Sequence, residues 1–544
     1  MAGGTAKTAQ PDDETPGCVI GVIAKPADES IVAEFFELFK TPWEKYRPSR
    51  RYHVVLCCGE SNLKEIAADV LLLYASEKTE FDNERKIQIQ SRQKLPTFSY
   101  AGKSLPIYDY GISFAGADFI SYVDTVQNQI TVRVGYDLFS EVRFLLTEGQ
   151  PEANAAFPSL DLHIALLRDL ITGSGIPLVE IPPVPEGYSF LACMTHDVDH
   201  ASLRRHKFDH TMLGFLYRST VGSVREVARG RMSAAKLWTN CAAAAKLPFV
   251  YTGLAQDPWL GFDRYAEIED GKPSTFFFIP FERRPGSSKA KDAEAPDSRG
   301  SRYDVSHVAS RIPKLRTAGC EIGLHGIDAW SESGKGRAEA NRIAEFSGVT
   351  NMGVRMHWLY WNENSPVELE SAGFSYDSTC GYNGAVGYRA GTSQVFKPLT
   401  ASRILELPLH VMDTALFYPD HMNLSQREAW KFVTPLIDHA ESNGGALTVN
   451  WHDRSIAPER LWGDFYVELL KRLEARRPWF STAMQAVSWF RKRRATVFED
   501  SRITSPLGDG LPDLCLRIHK QRTDRHLPES YTDTRLQGSI EVTT

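Results

Sequence analysis

Phe190-Leu-Ala-Cys-Met-Thr195-His-Asp-Val-Asp-His200 is the stretch on which the fold turns. Phe190 to Met194 is a short continuous apolar run, the pattern of a strand buried on both faces. It breaks abruptly into two carboxylates flanked by histidines. Asp197 and Asp199 are two residues apart, so on an extended backbone they project to the same side. There one can bind a metal while the other stays free as a base. Outward along the chain the same plan recurs in apolar runs at Ser274 to Ile279, Glu321 to Leu324, Gly353 to Met356, Ile404 to Leu407 and Ala446 to Val449, with helical or loop sequence between them. Strands alternating with helices predict a parallel sheet or barrel, whose chemistry gathers at the C-terminal strand ends.

Four more of those ends carry polar residues. Glu321-Ile-Gly-Leu-His325-Gly-Ile-Asp328 runs from a strand into a histidine and a glycine turn. Gly353-Val-Arg355-Met-His357-Trp358 puts an arginine, a histidine and an indole at one strand end. Glu406-Leu-Pro-Leu-His410-Val-Met-Asp413 follows, and Leu447-Thr-Val-Asn450-Trp-His452-Asp453 closes a buried strand with a histidine. Singly, each fits an ordinary turn, cap or satisfied buried histidine; together and in this order they are specific.

The five segments resemble the polysaccharide deacetylases of the carbohydrate esterase, or NodB-homology, superfamily, over about Ser189 to Arg494. The resemblance implies an α/β fold: a deformed (β/α) barrel of the polysaccharide deacetylase type preceded by a smaller α/β domain. Thr195, Asp197 and Asp199 match the family's first motif in its D-x-D form, which implies Asp197 as the base and Asp199 as a metal ligand. His325 falls on a metal histidine of the second motif, Arg355 on the arginine that orients the base, Asp413 on the aspartate that orients the acid, and His452 on the acid histidine. One departure stands out. The family's second motif has histidines at i and i+4, and here the second position is Ala329. His357, Asp328 and His196 are the candidates for the third ligand, with His357 preferred because its segment enters the same site.

The chemistry so implied is metal-dependent hydrolysis, with a divalent cation, zinc as first choice, activating water to remove an N-acetyl group from a sugar or polysaccharide intermediate. Trp358, Tyr360 and Trp361 offer faces on which sugars stack, or else belong to the core. Ala329 motivates a different reading, a catalytically inactive carbohydrate-binding or scaffolding relative. A hydrolase of another small C–N bond, as in the superfamily's allantoinase-like branch, is the third.

The rest of the chain divides by composition. Residues 1–17 read as a disordered polar leader and 18–180 as an N-terminal α/β domain, with strands at Cys18 to Ala24, Tyr52 to Cys58, Ile107 to Phe114, Phe119 to Val123 and Ile130 to Val134. Helices are predicted over Ile31 to Phe39 and Leu160 to Thr172, and no phosphate loop accompanies the strands. The proline run Ile181 to Gly187 marks a linker, 188–495 is the barrel, and 500–544 reads as a polar C-terminal tail with one strand at Leu511 to Ile518. A helical insertion, 203–254, carries Arg204, Arg205, Lys207, Arg218, Arg225, Arg229, Arg231 and Lys236; it reads as a solvated basic face or as a holder of an anionic substrate or membrane surface. Glu282 to Asp304 looks like a long mobile loop.

Over the 544 residues, 62 Lys and Arg against 68 Asp and Glu give a net charge of −6, which argues against nucleic acid as a partner. The eight cysteines form no C-x-x-C pair and read as buried free thiols of a reducing compartment. No secretory signal and no apolar run of about 18 residues is found, so no transmembrane segment is predicted and the expected location is cytoplasmic.

Overall fold

The computed structural model describes residues 18–58, 66–124, 129–289, 295–457, 459–499, 502–507, 510–521 and 530–541; the expected leader lies outside them. The described residues fall into two compact units. One comprises Met1–Val142, Leu162–Pro182 and Arg491–Thr544, the other Arg143–Asp161 and Pro183–Phe490.

The second unit is built on strands β1 (Leu191–Val198), β2 (Ser274–Phe278), β3 (Glu321–Gly326), β4 (Val354–Met356), β5 (Tyr376–Asp377), β6 (Leu405–Glu406), β7 (Val411–Met412), β8 (Ala446–Asn450) and β9 (Trp479–Phe480). They form one parallel sheet in the order β6-β5-β4-β3-β2-β1-β8-β7, with β9 also paired to β1. Chain geometry requires this sheet to curl. Its two edge strands, β6 and β7, would lie about 34 Å apart if eight strands were laid flat at about 4.8 Å spacing. Only residues 407–410 join them, a span of at most about 18 Å. The connector is stitched to the sheet by hydrogen bonds from Leu407 N to Asp377 O (2.8 Å), Leu409 N to Cys380 O (2.9 Å) and His410 N to Thr448 O (3.1 Å).

Strand alternation divides this sheet into two chemistries. Ala192, Met194, Val198, Phe276, Phe278, Ile322, Leu324, Val354, Met356, Leu447 and Val449 join the main hydrophobic core. The intervening Thr195, Asp197, Thr275, His325, Arg355, Thr448 and Asn450 are buried and polar, on the opposite, concave face. Buried polar groups must pair. Glu321 accordingly accepts from Thr275 Oγ1 (3.0 Å), Tyr376 OH (2.7 Å) and Met484 N (2.8 Å). A Cβ on Gly353 would lie 2.0 Å from Cζ of this buried tyrosine. Gly353→Ala is therefore expected to destabilise the second unit by about 1–3 kcal/mol or more, read as a lower denaturation midpoint at unchanged slope.

Several elements differ from the sequence expectation. The two-residue strands β5, β7 and β9 were not foreseen, because two residues carry no periodicity. Glu282 to Asp304 is more than a mobile loop: Arg299 within it is fully buried and donates to Pro285 O (2.6 Å), Ile327 O (2.8 Å) and His357 O (3.0 Å). A guanidinium can satisfy several carbonyls at once, which lets a polar sequence pack inside. Residues 143–161, assigned by sequence to the first domain, pack in the second unit, where the half-buried Asp161 carboxylate accepts from Thr392 Oγ1 (2.5 Å) and pairs with His439 Nε2 (2.9 Å). The insertion is helical, through His210–Tyr217, Ser223–Ala228, Ala234–Ala245 and Leu247–Thr252.

The first unit holds a six-stranded sheet ordered Trp43–Lys45, Ile20–Ala24, Tyr52–Cys58, Ala68–Tyr74, Ile130–Val134, Ile120–Asp124, parallel except for the last pair. The expected polar tail is β structure where it is described. Leu514–His519 pairs antiparallel with both Leu178–Glu180 and Tyr531–Leu536, and Val497–Glu499, Arg502–Thr504 and Ser539–Glu541 form a second small sheet. Leu514, Cys515, Leu516 and Leu536 are buried while Arg517 pairs with Asp533 (2.8 Å), so a short apolar run is hidden among many charged residues. Arg493, fully buried, ties this region down by donating to Ile181 O, Glu37 O and Leu38 O at 2.9–3.0 Å.

All eight cysteines are free, with Cys241 and Cys380 half-buried and the others buried. Among the described residues, no helix is long and apolar enough to cross a membrane.

Candidate functional site

The C-terminal ends of β1, β3, β4 and β8, with the segments that follow β7 and β8, open on one cleft of about 590 Å3. At its floor the structure brings together Asp199, just past β1, His325 on β3 and His357, just past β4. Their ligand-type atoms all lie within 4.8 Å of one another. Asp199 Oδ1 is 3.1 Å from His325 Nε2 and 3.7 Å from His357 Nε2, and among the described residues this buried oxygen accepts no hydrogen bond of good geometry. His325 Nδ1 is bonded to Arg355 O (3.0 Å), which aims Nε2 at the cluster.

The charges suit a cation. Burial, with Asp199 opposing, lowers His357 to about 3. Burial would raise the Asp199 carboxyl, but His357, His325 and His452 together hold it well below the ordinary range. One carboxylate oxygen and two imidazole nitrogens, converging on a common point with an orphaned acceptor among them, fit a divalent cation such as zinc.

Asp197 lies beside this cluster, its Oδ2 3.8 Å from His325 Nε2. Both of its oxygens are held. Arg355 Nη1 donates to Oδ1 (3.0 Å) and Asn450 Nδ2 to Oδ2 (2.7 Å). Arg355 crosses the concave face to do so: it stands on β4, three strands from β1, with its guanidinium 4.7 Å from the Phe277 ring. Further bonds to Thr195 Oγ1 (2.7 Å), Ser378 O (3.0 Å) and Ser378 Oγ (2.9 Å) fix it.

On the other side, His452 Nε2 is 3.7 Å from Asp199 Oδ2. Asp413 grips the histidine twice, at Nδ1 (2.6 Å) and at its backbone N (2.8 Å). Burial disfavours charge on His452, yet Asp413, with Asp199 and Asp197 beyond, raises its pKa to about 10. Burial likewise would raise Asp413, and His452 brings it below its ordinary value.

The other ligand candidates are used elsewhere. His196 has the opposite strand parity to Asp197 and faces the helices: its Nδ1 meets Trp451 O and its Nε2 meets Glu269 Oε1, both at 2.8 Å, while its ring stacks on Tyr265. Asp328 Oδ1 accepts from Ser287 N (2.7 Å). Ala329 is fully buried and packs close to Gly336, so the position of the family's second histidine holds a small core residue here. Trp358 and Tyr360 line the cleft and Trp361 does not. Trp358 has φ +62° and Leu359 φ +51°, strained backbone that turns the half-exposed indole onto the cleft rim.

Sequence reading missed Asn450, Ser378 and Arg299. Asn450 did carry a signal, a lone amide at the end of an otherwise apolar strand, inside a segment already singled out.

No protein-family model matches the chain, and no curated protein matches its sequence. Among solved structures, a putative polysaccharide deacetylase from Mycobacterium smegmatis is similar over 57% of this chain and 95% of its own, at 19% identity and a TM-score of 0.35. Puue allantoinase is similar over 58% and 95%, at 13% identity and a TM-score of 0.36. A probable polysaccharide deacetylase from Pseudomonas aeruginosa PAO1 is similar over 57% and 93%, at 12% identity and a TM-score of 0.35. Likenesses this slight leave the site's own geometry to carry any functional conclusion.

Proposed function

We propose that this chain is a metal-dependent hydrolase of the polysaccharide deacetylase kind that removes an N-acyl group, acetyl above all, from a sugar or polysaccharide intermediate. One observation carries it: an Asp199–His325–His357 cluster flanked by a carboxylate held on an arginine, Asp197–Arg355, and by a histidine held on an aspartate, His452–Asp413. That is a ligand set with a candidate base on one side and a candidate acid on the other.

Asp199, His325 and His357 would hold a divalent cation, which would supply Lewis acidity to an acyl carbonyl and to a water. Asp197 is assigned as the base that takes the water's proton. Arg355 and Asn450 aim its oxygens, Arg355 also compensating its buried charge. His452, carrying a proton at neutral pH, gives it to the departing nitrogen, and Asp413 holds the ring so that Nε2 faces the cleft. Trp358 on the rim offers a flat apolar face to a sugar ring.

Two measurements test this. Metal analysis after mild chelation and reloading with zinc or cobalt, alongside acetate release from a panel of N-acetylated sugars, is expected to show about one cation per chain and cation-dependent hydrolysis. Fewer than about 0.1 cations per chain with no hydrolysis on reloading would return the chain to the non-catalytic carbohydrate-binding reading. His357→Ala is expected to abolish cation retention; unchanged content would remove His357 from the ligand set.

A further inference from the structure

Besides the metal-type cluster, the same cleft is lined by Arg218, Arg454 and Arg460, the last with its guanidinium over Tyr418. Arg454 and Arg460 come from the segment after β8 that also carries His452; Arg218 comes from the insertion, at the end of His210–Tyr217. Among the described residues no hydrogen bond acceptor is found for the buried Nε of Arg218 or of Arg460, and none of the three guanidinium groups has a carboxylate within ion-pair distance. Glu459 and Asp453 are the carboxylates near enough to act on them, and both are engaged, Glu459 by Trp259 Nε1 (2.8 Å) and Asp453 by His200 N (3.1 Å).

Aromatic faces hold the cations in place: Arg454 lies 5.3 Å from the Trp259 ring, and Arg460 5.6 Å from Tyr418 and 5.1 Å from Trp462. Gly214 makes room for Arg218, since a Cβ there would stand 3.0 Å from its Nη1. The electrostatics agree. Burial and then neighbouring Arg460 bring Arg218 down to about 10 and Arg454 to about 9, while the three arginines overcome burial to lower the Tyr418 phenol. Lys289 and Arg299 bring the lining to five Lys and Arg against only Asp197 and Asp199. Three like charges held together with no carboxylate in ion-pair contact are costly unless an anion joins them.

We infer that the acyl substrate carries a phosphate group, a phosphomonoester or a phosphodiester, bound by Arg218, Arg454 and Arg460 while its N-acyl group lies at Asp199, His325 and His357. This rests on the deacylase reading for the second half and on the arginine cluster alone for the first. Guanidinium groups match phosphate oxygens bidentately, which suits three of them to one such group. The phosphate can be on a soluble sugar or on a lipid. The helical stretch from His210 to Ala228 turns His210, Gly214 and Arg218 to the cleft and leaves Leu213, Tyr217, Val221 and Val224 exposed, so both sources belong in the test.

The probe is inorganic pyrophosphate, titrated by calorimetry into the full chain after chelation, so that no cation can bind it. Saturable binding of one pyrophosphate per chain is expected, weakened by salt and weakened about tenfold or more by each of Arg218→Gln, Arg454→Gln and Arg460→Gln. Because each change relieves repulsion, each variant should melt no lower than the parent while losing stabilisation by pyrophosphate. Absence of saturable binding, or variants that melt lower yet bind as the parent does, would overturn the anion site. Vesicles of phosphatidylcholine with phosphatidic acid, compared with N-acetylglucosamine 1-phosphate as a competitor, then assign the phosphate to a lipid or to a soluble sugar. Pyrophosphate binding without acyl release from any phosphorylated sugar would keep this site and sink the deacylase reading. Equal kcat/KM for neutral and phosphorylated sugars would do the reverse.

Discussion

Asp199→Ala is expected to leave the chain with fewer than about 0.1 divalent cations per molecule after mild chelation and to lower turnover by on the order of 10³-fold. Asp199 is the only anion among the three clustered donors, and its Oδ1 faces Nε2 of both histidines with no other partner among the described residues. Without it, two imidazoles remain, and His325, whose proton affinity is raised by Asp197 and Asp199 against burial, loses one of the charges that orient it. Lewis acidity contributes several kcal/mol to hydrolysis of this kind, which sets the size of the expected loss. Folding should survive, because the carboxylate lies beyond the end of β1 and Ser301 Oγ holds residue 199 through its carbonyl oxygen (2.8 Å). Metal content and melting temperature, measured on the same sample, check this; a variant that folds and keeps its cation removes Asp199 from the ligand set.

How far such a site can be read from sequence depends on which physical signal each residue leaves. Strands β1 and β8 are buried on both faces, so they stand out as apolar runs, and the polar residues at their ends are conspicuous by contrast. Strand parity adds a second signal. Asp197 and His196 are adjacent, hence on opposite faces, and once Asp197 is taken as pointing into the barrel His196 is directed to the helices, where it meets Glu269. That step was available from sequence alone and would have removed His196 as a ligand. Ala68–Tyr74 was hidden for another reason: its apolar run, Val70 to Tyr74, reads equally as part of a buried helix. Arg299, Arg454 and Arg460 left no trace, because a charged residue in a loop reads as solvated whether or not tertiary structure encloses it. Arg218 did stand in a basic stretch marked for a possible anionic partner, but its neighbours there, such as Arg204 and Arg225, do not line the cleft. Charge in sequence indicates a surface; only packing selects which charges converge.

Asp197→Asn is expected to keep the cation and lose about 10²- to 10⁴-fold in turnover, the scale of removing a general base. The change is isosteric but not silent for the network. Asp197 Oδ1 accepts from Arg355 Nη1 and Oδ2 from Asn450 Nδ2, so an amide at position 197 must turn its own NH2 toward one of those donors. Asn450 cannot flip to accept it without giving up the bond its Oδ1 takes from Asp197 N (3.2 Å). Arg355, fully buried, would lose its carboxylate and keep only Thr195 and Ser378. A stability loss of about 1–3 kcal/mol should therefore accompany the loss of turnover. The double variant Asp197→Asn with Asn450→Asp separates the two effects. It restores one carboxylate and one amide to the pair beside Arg355, so stability should largely return. Turnover should not, because the carboxylate now stands on β8 and no longer beside His325 Nε2. Recovery of both would mean that position 197 serves only to neutralise Arg355, and loss of cation from Asp197→Asn with retention in Asp199→Ala would exchange the roles of the two aspartates.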